Sequence, residues 1–143
     1  MTPAPIANGL SLRGLRGATT CTANSIESIE TAVDELVTCL VERNGLEAEH
    51  IVSVTFSVTA DLDACFPAAI ARRQPGWDQV ALLDCQQMAV QGDLTRCIRL
   101  LAHVWLPSEQ TPCHAYLGDA SRDRKSTRLN SSHSQQSRMP SSA

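Results

Sequence analysis

Seven basic side chains lie between residues 1 and 120, all of them arginine, and six fall in close pairs: Arg13 with Arg16, Arg72 with Arg73, and Arg96 with Arg99. A guanidinium presents a planar fork of donors that matches a carboxylate or phosphate bidentately. Paired arginines in an otherwise acidic body therefore point to a small, multiply anionic ligand. The first pair belongs to Arg13-Gly14-Leu15-Arg16-Gly17-Ala18-Thr19-Thr20, a run of small and β-branched residues. In an extended segment, residues three apart face opposite sides, so only one of Arg13 and Arg16 can enter a given pocket. Arg16 is the expected one, because Gly17 leaves room beside it. Arg72 and Arg73 have a competing explanation as cations in the last turn of a short helix.

Composition narrows the chemistry further. A chain of 143 residues is enough for one domain, and 43% hydrophobic with only 3% aromatic content describes a core of Val, Leu, Ile and Ala. No run approaches the ~18 apolar residues of a membrane span, and the first ten residues show no targeting pattern, so the expected compartment is the cytoplasm. From Ser121 onward five basic residues face one acidic residue, which leaves residues 1–120 at −7. Such a body repels nucleic acid and anionic membranes, so neither is an expected partner. The six cysteines contain no CxxC pair and no histidine at metal spacing. Buried thiols are expected, with no disulfide framework, no metal site and no cofactor.

The elements that must position the arginines follow from periodicity. Residues 1–10 read as a disordered leader and Ser11 to Thr20 as the first strand. Asn24, with Glu27 three residues on, has capping-box spacing, and Ile26, Ile29, Val33, Leu36, Val37, Leu40 and Val41 then recur at the helical period, ending at Asn44-Gly45. Ile51 to Thr59 alternates as a strand, Phe66 to Arg73 is a short helix, and Gln79 to Leu83 is a third strand. Cys97 to Leu106 as a strand would separate Ile98, Leu100, Ala102, Val104 and Leu106 from Arg99, Leu101, His103 and Trp105. Cys113 to Leu117 closes the pattern. The expected fold is α+β, a mixed sheet with one long and one short helix on one face, spanning residues 11–120. Residues 121–143, rich in Ser, Gln, Asn and Arg, read as a disordered tail whose last part looks like vector read-through, with the native C-terminus lost.

Arg13-Gly-Leu-Arg-Gly-Ala-Thr-Thr, Phe66-Pro-Ala, Arg72, Gly76-Trp77, Cys97-Ile-Arg99 and Tyr116-Leu117, in this order, resemble the small monofunctional chorismate mutases of the trimeric α+β type. The likeness covers Ser11 to about Ala120. It implies a homotrimer, a pseudo α/β-barrel with sites between subunits, and isomerisation of chorismate to prephenate on the route to phenylalanine and tyrosine. The reaction is an intramolecular pericyclic step that needs a held conformer and positive charge beside the ether oxygen. By resemblance Arg99 is that donor, Arg16 and Tyr116 hold a carboxylate, and Arg72, Phe66 and Ala68 form a wall supplied by the neighbouring subunit.

Two departures bear on catalysis. Gln87 stands where the family has glutamate, and Asp84 where it has cysteine. The expectation is that Asp84 assumes the glutamate's role, which requires residues 84 and 87 to share a pocket through a turn after the strand. The alternative is a weak or inactive small-carboxylate-binding trimer of the same fold. His103, beside Leu101 and Trp105, reads as a packing or interface residue, not as a general base.

Overall fold

Ile29, Ala32, Val33, Leu36, Val37 and Leu40 are buried along one side of a 19-residue helix, α1 (Ile26–Asn44), in a computed structural model that describes residues 9–122. The helix starts one residue later than the capping-box spacing suggests. Ser25, in extended conformation, is the N-cap, and its hydroxyl accepts the Ser28 N–H at 3.1 Å. Asn24 is drawn instead to the loop after the second strand, where its Oδ1 accepts the N–H groups of Asp63 and Ala64. Ile26, now the first helical residue, is 57% exposed and not part of the apolar stripe. Gly45 ends the helix in the left-handed conformation, φ 61°, with its N–H donating to the Val41 carbonyl.

The helix follows β1 (Leu10–Thr20) and precedes β2 (Ile51–Val58), α2 (Pro67–Ala71), β3 (Ala81–Gln86), β4 (Cys97–Pro107) and β5 (Ala115–Tyr116). The strands form one mixed sheet in the order β3-β2-β4-β1-β5. β4 is antiparallel to both β1 and β2, while β2 with β3, and β1 with β5, are parallel. The crossover that makes β2 and β3 parallel carries α2, and α1 and α2 pack together on the same side of the sheet. That side supplies the core: Leu15 of β1, Val54 and Phe56 of β2, and Ile98, Leu100, Ala102, Val104 and Leu106 of β4 are all buried. Trp77, in a 3₁₀ turn, joins it at 5% exposure.

Several boundaries differ from the periodic reading. β3 runs to Gln86, not Leu83, because parallel pairing with β2 continues to Val58 opposite Gln86. β5 is two residues long, enough to pair Ala115 and Tyr116 with β1. Residues 119–122 form a helical turn, so Ser121 and Arg122 continue the body, and Leu10 already belongs to β1. The rest of the expected leader and tail, residues 1–8 and 123–143, lies outside the described residues. Of the cysteines, Cys21 and Cys97 are buried, but Cys85 and Cys113 are exposed, and all six are unbridged. Burial pushes the Cys21 thiol up to about 11.

Candidate active site

The sheet face away from the helices gathers the chemistry. Residues in register on neighbouring strands share a face, and Ala18 is in register with Arg99 on one side and Tyr116 on the other. Arg99 is also in register with Ser57, so Tyr116, Ala18, Arg99 and Ser57 form a row across β5, β1, β4 and β2. The next row holds Arg16, Leu101 and Thr55. Arg16, Arg99 and Tyr116 thus meet on one surface although they are far apart in sequence. Arg13, opposite the buried Val104, turns to the helix side.

Gly17 does not make room beside Arg16: it also faces the helices, and a Cβ there would lie 3.1 Å from Leu36 Cδ1 and 3.3 Å from Leu40 Cδ1. Its missing side chain admits α1, not a ligand. Of the two glycines in this run, Gly14 is the one with open space around it, on the outer face opposite His103. His103 Nδ1 lies 3.3 Å from the Ser53 hydroxyl, and the ring is exposed.

Arg99 is half-buried, with 14% of its side chain exposed. Its Nη2 donates to Asp93 Oδ1 at 3.3 Å. Nothing among the described residues accepts from its Nε or Nη1, both of which are buried. Gln87 follows β3 and is held by its N–H to the Val58 carbonyl at 2.8 Å. Its Nε2 donates to Asp93 Oδ2, also at 2.8 Å, and its buried Oε1 receives no donor among the described residues. Buried polar atoms left without partners cost free energy, so their concentration beside one arginine marks a surface built for a ligand. The Tyr116 hydroxyl is buried on this same face. Asp93 was not among the residues singled out from sequence. Only its position before Arg96 and Arg99 in a Gly-containing connection could have drawn notice.

Asp84 does not share this site. It lies inside β3, in register with Phe56, whose other neighbour is Leu100. It therefore faces the helices, opposite to Arg99. Its Oδ1 accepts the Ala68 N–H at 3.0 Å in the first turn of α2. Burial pushes its carboxyl above the usual range, while the Ala68 N–H and the Arg72 charge oppose that shift. The expected turn between residues 84 and 87 is absent because the backbone stays paired with β2 through both. A strand puts positions three apart on opposite faces.

The remaining predicted residues group with Asp84. Phe66 caps α2 and is 70% exposed, Arg72 ends it in the open, and Ala68 is buried at 4%. Phe66 and Arg72, but not Ala68, thus present side chains outward. Two of the partners within the arginine pairs make contacts inside the fold. Arg73 bridges Glu30 of α1 at 2.6 Å, and Arg96 donates through Nε to the Cys21 carbonyl at 3.0 Å. A shallow cavity of about 300 Å³ reaches Gln87 and Asp93 from the Thr59–Asp61 side, but it does not include Arg16, Arg99 or Tyr116. The latter three lie on an open face with Leu12, Leu83 and Leu101, which are 52%, 61% and 42% exposed.

The chorismate mutase type I family profile matches residues 12–127. The chain is 40% identical over 117 residues to chorismate mutase AroH of Thermus thermophilus, covering 79% of this chain and 93% of that protein. It is 36% identical over 110 residues to AroH of Bacillus subtilis, covering 76% and 86%. The solved structure of a chorismate mutase from Clostridium thermocellum superposes with a TM-score of 0.71 at 37% identity, covering 77% of this chain and 98% of that one.

Proposed function

Because this chain belongs to the chorismate mutase type I family, and is thus an isomerase acting on chorismate to give prephenate in aromatic amino acid biosynthesis, we propose that Arg99, Gln87, Arg16 and Tyr116 form its substrate-binding face. The observation that carries this reading is the pair of Arg99 donors, Nε and Nη1, and the Gln87 Oε1, all without a partner among the described residues. The substrate is a dianion with a ring hydroxyl and an ether link. Rearrangement breaks the ether C–O bond while a C–C bond forms, and negative charge grows on the ether oxygen.

Arg99 donates to that oxygen, and because a fixed donor needs no reorganisation it favours the transition state over the ground state. Arg16 and Tyr116 hold a carboxylate, and Gln87 Oε1 accepts from the ring hydroxyl. Nothing here abstracts a proton or attacks a carbon. The site works by holding the folded conformer and supplying positive charge.

In this reading three copies assemble through the open sheet face with its exposed Leu12, Leu83 and Leu101, and the cleft is closed by a neighbour's Phe66 and Arg72. Asp84 accompanies that wall, bracing α2 through the Ala68 N–H. Removal of water by the neighbour strengthens each charged contact. The six unbridged cysteines fit a reducing compartment, the cytoplasm.

Purified protein should consume chorismate with loss of its ultraviolet absorbance, and Arg99→Ala should abolish that loss. Arg99→Ala and Arg72→Ala chains, each impaired alone, should regain about a quarter of wild-type sites when unfolded and refolded together in equal amounts, because one interface in four then carries both arginines. No regain on mixing would remove the intersubunit site.

A further inference from the structure

We propose that Asp93 is a positioning residue for the rearrangement: its carboxylate locks Gln87 and Arg99 so that the amide presents only an acceptor and the guanidinium only free donors to the substrate. This rests on the reading of Arg99 and Gln87 as the substrate-facing pair. Asp93 lies in the connection between β3 and β4, where Oδ2 accepts from Gln87 Nε2 at 2.8 Å and Oδ1 accepts from Arg99 Nη2 at 3.3 Å. Oδ1 also accepts the Leu94 N–H at 2.8 Å, which ties the carboxylate to its own loop.

Each contact has a consequence for the ligand. A glutamine amide carries both donors and an acceptor, and alone it can present either end. An ionised carboxylate can only accept, so Gln87 must turn its NH₂ to Asp93 and its Oε1 away. That buried oxygen is the group a substrate hydroxyl requires. The guanidinium is similarly anchored at one nitrogen, with Nε and Nη1 left over. With side chains only 14% and 24% exposed, the Arg99–Asp93 pair is far less screened than a surface pair.

The arrangement also sets a negative charge beside position 87 without a carboxylate there. That charge is not Asp84, on the opposite face, but Asp93, behind the amide. Gln87 and Asp93 act as one unit, an acceptor in front and a charge behind. Placing glutamate at 87 by itself would then be harmful, because it would set a second carboxylate about one hydrogen bond from the first, where both cannot ionise together.

The test is a double-mutant cycle on the full chain, with Asp93→Asn, Gln87→Glu and the combined variant, read by chorismate turnover across pH. Asp93→Asn keeps an oxygen for the Leu94 N–H but loses the charge on Arg99, and kcat should fall by about 10- to 100-fold with KM changing less. Gln87→Glu should also lose activity and gain a titration in its kcat profile that the wild type lacks. The combined variant lets the new asparagine donate to the new glutamate. It should exceed each single variant by about tenfold or more and lose the added titration. Losses that multiply independently, wild-type kcat in Asp93→Asn, or a Gln87→Glu profile matching wild type would overturn the proposal. Should Asp93→Asn not fold, the Gln87→Glu profile decides alone. Arg99→Ala separates the two levels: if it stays active, the site reading itself fails. If it is inactive while the cycle shows no coupling, only the role of Asp93 fails.

Discussion

Arg99→Lys isolates what the guanidinium geometry contributes, because it keeps the charge and removes the fork. One nitrogen donates to Asp93, and two buried nitrogens have no acceptor among the described residues, which in the proposed site leaves them for the substrate. An ammonium is a single point with its donors on one atom, and the nearby Asp93 carboxylate competes for it. Lysine therefore retains one of two functions, holding Asp93 or donating to the breaking ether bond. Loss of one preorganised donor to developing negative charge is worth about 2.7–4 kcal/mol, a factor of roughly 10² to 10³ in kcat. Retained charge puts the expectation near the lower end, about 10². KM should move less, because in the proposed site ground-state carboxylate binding rests with Arg16 and Tyr116. The assay is initial-rate chorismate consumption over a range of concentrations, with thermal unfolding of both proteins as a control for folding. A folded Arg99→Lys protein with kcat within about threefold of wild type would refute the argument that the fork is what catalyses.

Other consequences are open to simple tests. Gly17→Ala should destabilise the fold by about 1–3 kcal/mol, since its Cβ would press on Leu36, Leu40 and the Ala115 carbonyl; an unchanged denaturant midpoint would contradict this. Ser25→Ala should cost about 1 kcal/mol through the lost N-cap, whereas Asn24→Ala should act on the loop at residues 63–64, seen as local amide exchange there and not at the helix start. Asp61 and Asp84 should show opposite pH dependence. The Thr59 hydroxyl bond holds the Asp61 carboxyl below 3.8, so its stabilisation is present above that value and lost as pH falls through the folded one. Asp61→Asn should thus differ from wild type at neutral pH and converge with it in acid. Burial raises the Asp84 carboxyl above 3.8, so the folded state binds the proton more tightly and wild-type stability declines as pH rises through the folded value. Asp84→Asn should remove that decline, and unfolding midpoints measured across pH would show whether it does.

Local pattern carried much of this protein. The α1 stripe and its Gly45 stop, the alternation in β2 and β4, and the opposite facing of Arg13 and Arg16 all follow from periods of 3.6 and 2, which depend only on the backbone. The ordered motifs are specific enough to name the family, and the family profile agrees.

What holds Arg73 and Arg96 was not legible, because it depends on neighbours far away in sequence: Glu30 takes Arg73, and the Cys21 carbonyl takes Arg96. The same holds for Gly17, which reads as space for a ligand in the sequence and proves to be space for Leu36 and Leu40. Asp84 and Gln87 face opposite sides of the sheet for a plain reason. Whether β3 ends at residue 83 or 86 is decided by its pairing with β2, and three further paired residues turn a carboxylate to the other face. The charge beside Gln87 comes from Asp93, brought there by a loop closure between two strands. Sequence placed the candidate arginines on separate elements. Only tertiary structure could decide which carboxylate stands behind them, because sheet register and loop path are set by pairings between distant segments.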